Sequence, residues 1–139
     1  MKDTCDSISI ELIVQAAQMG KDDIWMQGDL EILINGEKPY SESDIIDVDV
    51  FLKSMNSDGE YFIFSCCCGI PECSGWIKGI NVKHKENIVT WSDENSNRTW
   101  QLDKTKVEND LSNIRNEVKI YKEYFSEKGI KYVGVGYNW

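Results

Sequence analysis

Four of the five cysteines, Cys66, Cys67, Cys68 and Cys73, fall within eight residues, and the chain has one histidine, His84. If the segment begins as a strand, alternation puts Cys66 and Cys68 on one face and Cys67 on the other. Gly69 then permits a sharp turn that returns Cys73 toward the first pair. Three thiolates with His84 would make a Cys3His zinc set. The spacing speaks against it, because a zinc knuckle pairs cysteines about two to four residues apart and two such pairs make the strong signal. The favoured reading is therefore buried, neutral thiols around a glycine-rich turn, with no metal and no cofactor. His84 is then expected to face solvent beside Lys83 and Lys85. A thiol enzyme would need Cys67 or Cys73 as nucleophile, His84 as base and an Asp to orient it. Neighbouring acids would raise a thiol pKa and oppose thiolate formation. No catalytic residue is assigned, and the chain is expected not to be an enzyme.

The second chemistry is acidic. Residues 1–60 carry fourteen Asp and Glu against four Lys, a balance of −10, while residues 61–139 carry ten acids and eleven bases. The formal charge of −9 thus belongs to the N-terminal part of the sequence. Gathered on one side, such charge projects a directional field toward a basic partner. It repels nucleic acid, whose phosphates carry the same sign. Asp22, Asp23, Asp29, Glu42, Asp44, Asp47 and Asp49 are the candidate partner-binding residues. Asp44, Asp47 and Asp49 lack the Gly and terminal Glu of a calcium loop and read as exposed acids near a helix start. The five Trp could stack bases, but only two arginines accompany them, so core packing with one or two interface anchors is the better account. Gly134-x-Gly136 lacks the third glycine and following helix of a nucleotide fingerprint.

The elements that must position these groups are legible in outline. A chain of 139 residues, 41% hydrophobic, has the size of one domain, 1–139, able to bury a core without disulfides. Crowded, odd-numbered cysteines fit a reducing compartment. No apolar run approaches membrane-spanning length, Asp3 and Asp6 offset Lys2, and Glu11 and Gln15 interrupt the early apolar stretch, so a cytoplasmic protein is expected. Residues 8–14 alternate as a strand. Residues 18–28 read as a loop carrying Trp25, 29–34 as a strand, and Asn35-Gly36 as a hairpin turn. Ser41 or Ser43 could cap a helix near 47–56. Residues 61–67 read as a central strand, 77–84 and 88–92 as an antiparallel pair, and 99–102 as a short strand. Val107, Leu111, Ile114, Val118, Tyr121 and Phe125 share one face of a helix over about 104–128, with Asp103 as N-cap and Gly129 as stop. Residues 130–139 alternate again and could form an exposed edge, pairing strands in a homodimer or with a partner. The order is α+β: a mainly antiparallel sheet with one long helix on it.

The segment 61–91, aromatic-x-Phe-x-Cys-x-Cys-Gly-x4-Cys-x-Gly followed by Gly-Ile-x-Val and Val-x-Trp, resembles a group of small bacterial α+β proteins. Some of these are linked with polymorphic or contact-dependent toxin systems as immunity proteins. Phe64, Cys66, Cys68, Gly69, Cys73, Gly75, Gly79, Ile80, Val82, Val89 and Trp91 carry the likeness, and Cys67 and Trp76 depart from it. The resemblance implies a cytosolic immunity protein that occludes a cognate basic toxin domain, such as a nuclease. A small zinc-binding module is the alternative, and a thiol enzyme the third.

Overall fold

The computed structural model describes residues 5–18, 20–66, 68, 70–137 and 139. The chain is α+β, with largely antiparallel sheets and a long C-terminal helix packed on them.

Strand β1 (Ile8–Gln18) and strand β2 (Ile24–Ile34) pair antiparallel along their whole length, from Ile8↔Ile34 to Gln18↔Ile24. The loop expected over 18–28 is thus mostly strand, and Trp25 lies within β2. Local composition misleads here because strand formation depends on cross-strand partners more than on intrinsic preference. On β2 the buried residues Gly28, Leu30, Ile32 and Ile34 alternate with the half-buried Gln27, Asp29 and Glu31. One face therefore meets the core, and the other carries the acids. Asn35 and Gly36 both take positive φ, 54° and 82°, and the Ile34 and Glu37 backbones exchange hydrogen bonds of 2.8 and 3.1 Å. That is the two-residue turn the sequence announces.

Strand β3 (Asp44–Ile46) leads into helix α1 (Val48–Ser54). Its N-cap is Asp47, whose carboxylate accepts from Val50 N at 3.2 Å, and neither Ser41 nor Ser43 caps it. Ser41 instead closes a turn with Asp44: each accepts from the other's backbone N–H at 3.0 Å. The expected single strand over 61–67 divides into β4 (Gly59–Tyr61) and β5 (Phe64–Cys66). Ile63, Phe64 and Ser65 are buried in succession, so no alternation fixes one sheet for the run. β5 pairs with β3, whereas β4 joins the edge of the next sheet.

A 3-10 turn over Pro71–Ser74 follows, ended by Gly75 at φ 89°. Then come β6 (Ile80–Lys85), β7 (Ile88–Asp93) and β8 (Arg98–Asp103), in sheet order β4-β6-β7-β8. Helix α2 (Lys104–Glu127) starts at its expected cap, Asp103, which accepts from Lys106 N at 3.2 Å. Val107, Leu111, Ile114 and Val118 are buried, but the stripe stops contributing to the core there. Tyr121 is exposed and stacks on Phe125, with ring centroids 6.0 Å apart. Beyond Gly129 (φ 72°), strand β9 (Lys131–Gly134) pairs parallel with β2 at Trp25–Gly28, forming the outer strand of the sheet β1-β2-β9. The alternation expected through Trp139 ends at Gly134, where the chain turns.

Aromatic rings link the layers. Phe64 packs on Tyr40 (4.8 Å), Trp76 (5.4 Å) and Trp91 (6.0 Å), and Phe51 meets Trp91 edge-on at 5.5 Å. Trp76, Trp91 and Trp100 are buried, in keeping with a structural role for most of the indoles. Among the described residues no helix is long and apolar enough to cross a membrane.

Candidate functional site

Two regions carry chemistry, and Asp44 lies between them. The first is a cavity of about 360 Å³ beside the part of β2 that β9 does not cover. Its wall holds the carboxylates of Asp29, Glu31, Glu42 and Asp44, with Lys38 as the one cation among the described residues. Polar Gln15, Gln27 and Ser43 share the rest of the wall with a smaller apolar part that includes Ile13, Ile45 and Val135.

The placement of these acids follows from strand alternation. Asp29 and Glu31 are two residues apart on the outer face of β2. Across the hairpin, Glu31 stands in register with Glu11. Like charges directly opposite destabilise a strand pair unless a cation intervenes. Lys38 partly does so, reaching Glu31 at 3.7 Å and Glu42 at 3.1 Å. The hydrogen bond that Lys38 donates to Glu42 holds the Lys38 pKa above its ordinary value, so this ammonium stays charged. One cation among four carboxylates leaves the cavity strongly negative.

Tyr40 also lines the cavity. Its hydroxyl accepts from Ile32 N at 3.1 Å, and burial raises its pKa, which keeps the phenol neutral. Asp44 is held by two donors, Ser41 N and the Trp76 indole N–H, both at 3.0 Å on one oxygen. Its other oxygen, Oδ1, is buried without a hydrogen-bond partner among the described residues. A buried carboxylate oxygen in that state gains from an incoming donor.

Of the seven acids expected to bind a partner, the structure brings Asp29, Glu42 and Asp44 together at this cavity. Asp22 and Asp23 lie exposed at the tip of the β1–β2 hairpin. Asp49 is exposed in the first turn of α1, and Asp47 is occupied as its cap. Glu31 is the functional candidate that sequence reasoning missed. Extending the period-two alternation of β2 from Asp29 would have found it.

The second region is the cysteine cluster. Cys66 ends β5, opposite Asp44 of β3, and Cys73 sits in the 3-10 turn. The sulfur atoms of Cys66, Cys68 and Cys73 all lie within 4.8 Å of one another. Cys66 is half-buried and the other two are exposed, which corrects the expectation of buried thiols. The strand ends at Cys66, and Cys68 and Cys73 beyond it lie on the surface. The hydrogen bond between Cys73 and Cys68, with the repulsion of the neighbouring sulfurs, pushes the Cys73 thiol up. The turn expected at Gly69 and the position of Cys67 lie outside the described residues.

His84 is not part of this group. It is half-buried on β6, with its Nε2 2.8 Å from the Ser54 carbonyl oxygen at the end of α1 and its backbone N–H donating to Asp58 at 2.8 Å. A Cys3His set and a Cys–His pair would both require it elsewhere, and it does not face solvent as expected.

The chain matches no protein-family model, no curated protein and no solved structure.

Proposed function

We propose that this chain is a non-catalytic binding protein: an immunity protein that docks a basic toxin domain, such as a nuclease, and blocks its site. The observation that carries this reading is the convergence of Asp29, Glu31, Glu42 and Asp44 on one cavity with a single ammonium among them. The cavity suits a Lys or Arg side chain from the partner. A guanidinium there would offset the crowded carboxylates and could pair with the buried Asp44 Oδ1. The apolar part of the wall supplies the desolvated contact that long-range charge cannot, since steering gives rate more than affinity. Asp22, Asp23 and Asp49, exposed outside the cavity, extend the field that guides encounter. Nucleic acid and anionic membrane would both be repelled by this surface.

The test is co-expression with the C-terminal domain of a toxin encoded beside this chain. The wild type should restore growth and co-purify with that domain. The variant Asp29→Asn, Glu31→Gln, Glu42→Gln should fold normally and weaken the complex by roughly tenfold or more. Rescue and complex stability equal to wild type in that variant would refute the reading.

A further inference from the structure

We propose that Cys66, Cys68 and Cys73 form a zinc site, three thiolates on one Zn²⁺; no fourth ligand joins them among the described residues, and water or an outside ligand can take that position. The geometry comes from two anchored ends. Cys66 is fixed by β3–β5 pairing, and Cys73 by the 3-10 turn, where its N–H donates to the Ile70 carbonyl at 3.2 Å. Trp76, buried and bonded to Asp44, fixes the far side of that turn. Three sulfurs within 4.8 Å are near coordination distance already. Zn–S bonds of about 2.3 Å in a tetrahedron set thiolates about 3.8 Å apart, so the sulfurs need close by only about 1 Å.

The donor set selects the metal. Thiolates are soft ligands, which favours zinc over calcium or magnesium, whose sites are built of oxygen. Zinc has no geometric demand from its d electrons, so it tolerates donors mounted on a surface turn. The turn also has something to gain. No residue of Pro71–Ser74 is fully buried, and Ile70 and Ile77 on either side are exposed, so the turn itself adds little to the core. A metal would fasten it to the end of β5. Binding replaces three thiol protons, which pass to solvent, and leaves a centre of net charge −1 with a neutral water in the fourth place.

The experiment uses the full chain, untagged and purified reduced, with zinc content measured after dialysis and Co²⁺ titrated as a spectroscopic probe. About one zinc per chain is expected, with intense thiolate-to-cobalt charge-transfer absorption that zinc abolishes. Cys68→Ser and Cys73→Ser should each lower zinc affinity by roughly a hundredfold or more. Cys5→Ser, outside the group, should leave it unchanged. Zinc should also slow alkylation of Cys68 and Cys73 in the wild type, a readout that does not depend on any variant folding. Absence of retained zinc and of cobalt charge transfer, retention unaffected by Cys73→Ser, or a response to Cu⁺ alone would each overturn the assignment.

Discussion

Tyr132 and Tyr137 bring their hydroxyls within 2.6 Å of each other over Gly28, and Tyr137 donates to the Gly28 carbonyl at 3.0 Å. A Cβ at position 28 would collide with both hydroxyls, so the glycine is required by close approach. Gly28→Ala should destabilise the fold by about 1–3 kcal/mol, seen as a lower urea midpoint with unchanged m-value. Burial raises the pKa of both phenols, and their hydrogen bond raises that of Tyr137 further. A group with a raised folded-state pKa stabilises fully below its unfolded value and loses that contribution as pH climbs. The loss should therefore begin near about pH 10, the ordinary tyrosine value, where the unfolded chain ionises first. Urea midpoints should fall across that range, and fall less in Tyr132→Phe/Tyr137→Phe. Equal alkaline loss in the two proteins would place its cause elsewhere. At this scale the sequence announced types better than neighbours. Asp29, Glu42 and Asp44 were identifiable as acids in an acidic stretch, but their meeting with Glu31 depends on β2 and β3 lying at one notch. His84 is the reverse case: chemistry inferred from its being the sole histidine fails, because β6 delivers it to the end of α1.

Element boundaries were legible where local chemistry decides them. Asp103 and Gly129 bracket α2, and Asn35-Gly36 makes its turn, because a cap or a positive φ needs a few neighbouring residues only. They were hidden where a distant partner decides. β1 and β2 extend each other through residues of poor strand preference, and 61–67 divides between two sheets that sequence cannot distinguish. Two tests belong here. Asp47→Ala removes the α1 cap and should cost about 1 kcal/mol of stability, whereas Ser41→Ala or Ser43→Ala should have no effect through that helix. Asp110 of α2 accepts from Ile10 N at 3.2 Å on the outer edge of β1. Asp110→Ala should expose that edge and speed hydrogen exchange at Ile10, and unchanged exchange would show that the carboxylate does not protect it.

Across the whole molecule, the acids of the first 60 residues divide by use. Asp47 is consumed by a helix end and Asp44 by Trp76 and a turn, while Asp29, Glu31 and Glu42 accept from no backbone N–H among the described residues. These three carboxylates meet Gln27 and Lys38 yet still crowd one cavity; the proposed electrostatic partner site rests on that excess, and charge balance alone did not reveal which acids these were. The most direct measurement is the association rate of the purified chain with the proposed partner, a basic toxin domain, over a series of salt concentrations. The account predicts a rate that falls by roughly tenfold or more from low to physiological salt, and a flatter dependence for Asp29→Asn/Glu31→Gln/Glu42→Gln. A rate indifferent to salt, or equally steep in the variant, would contradict it.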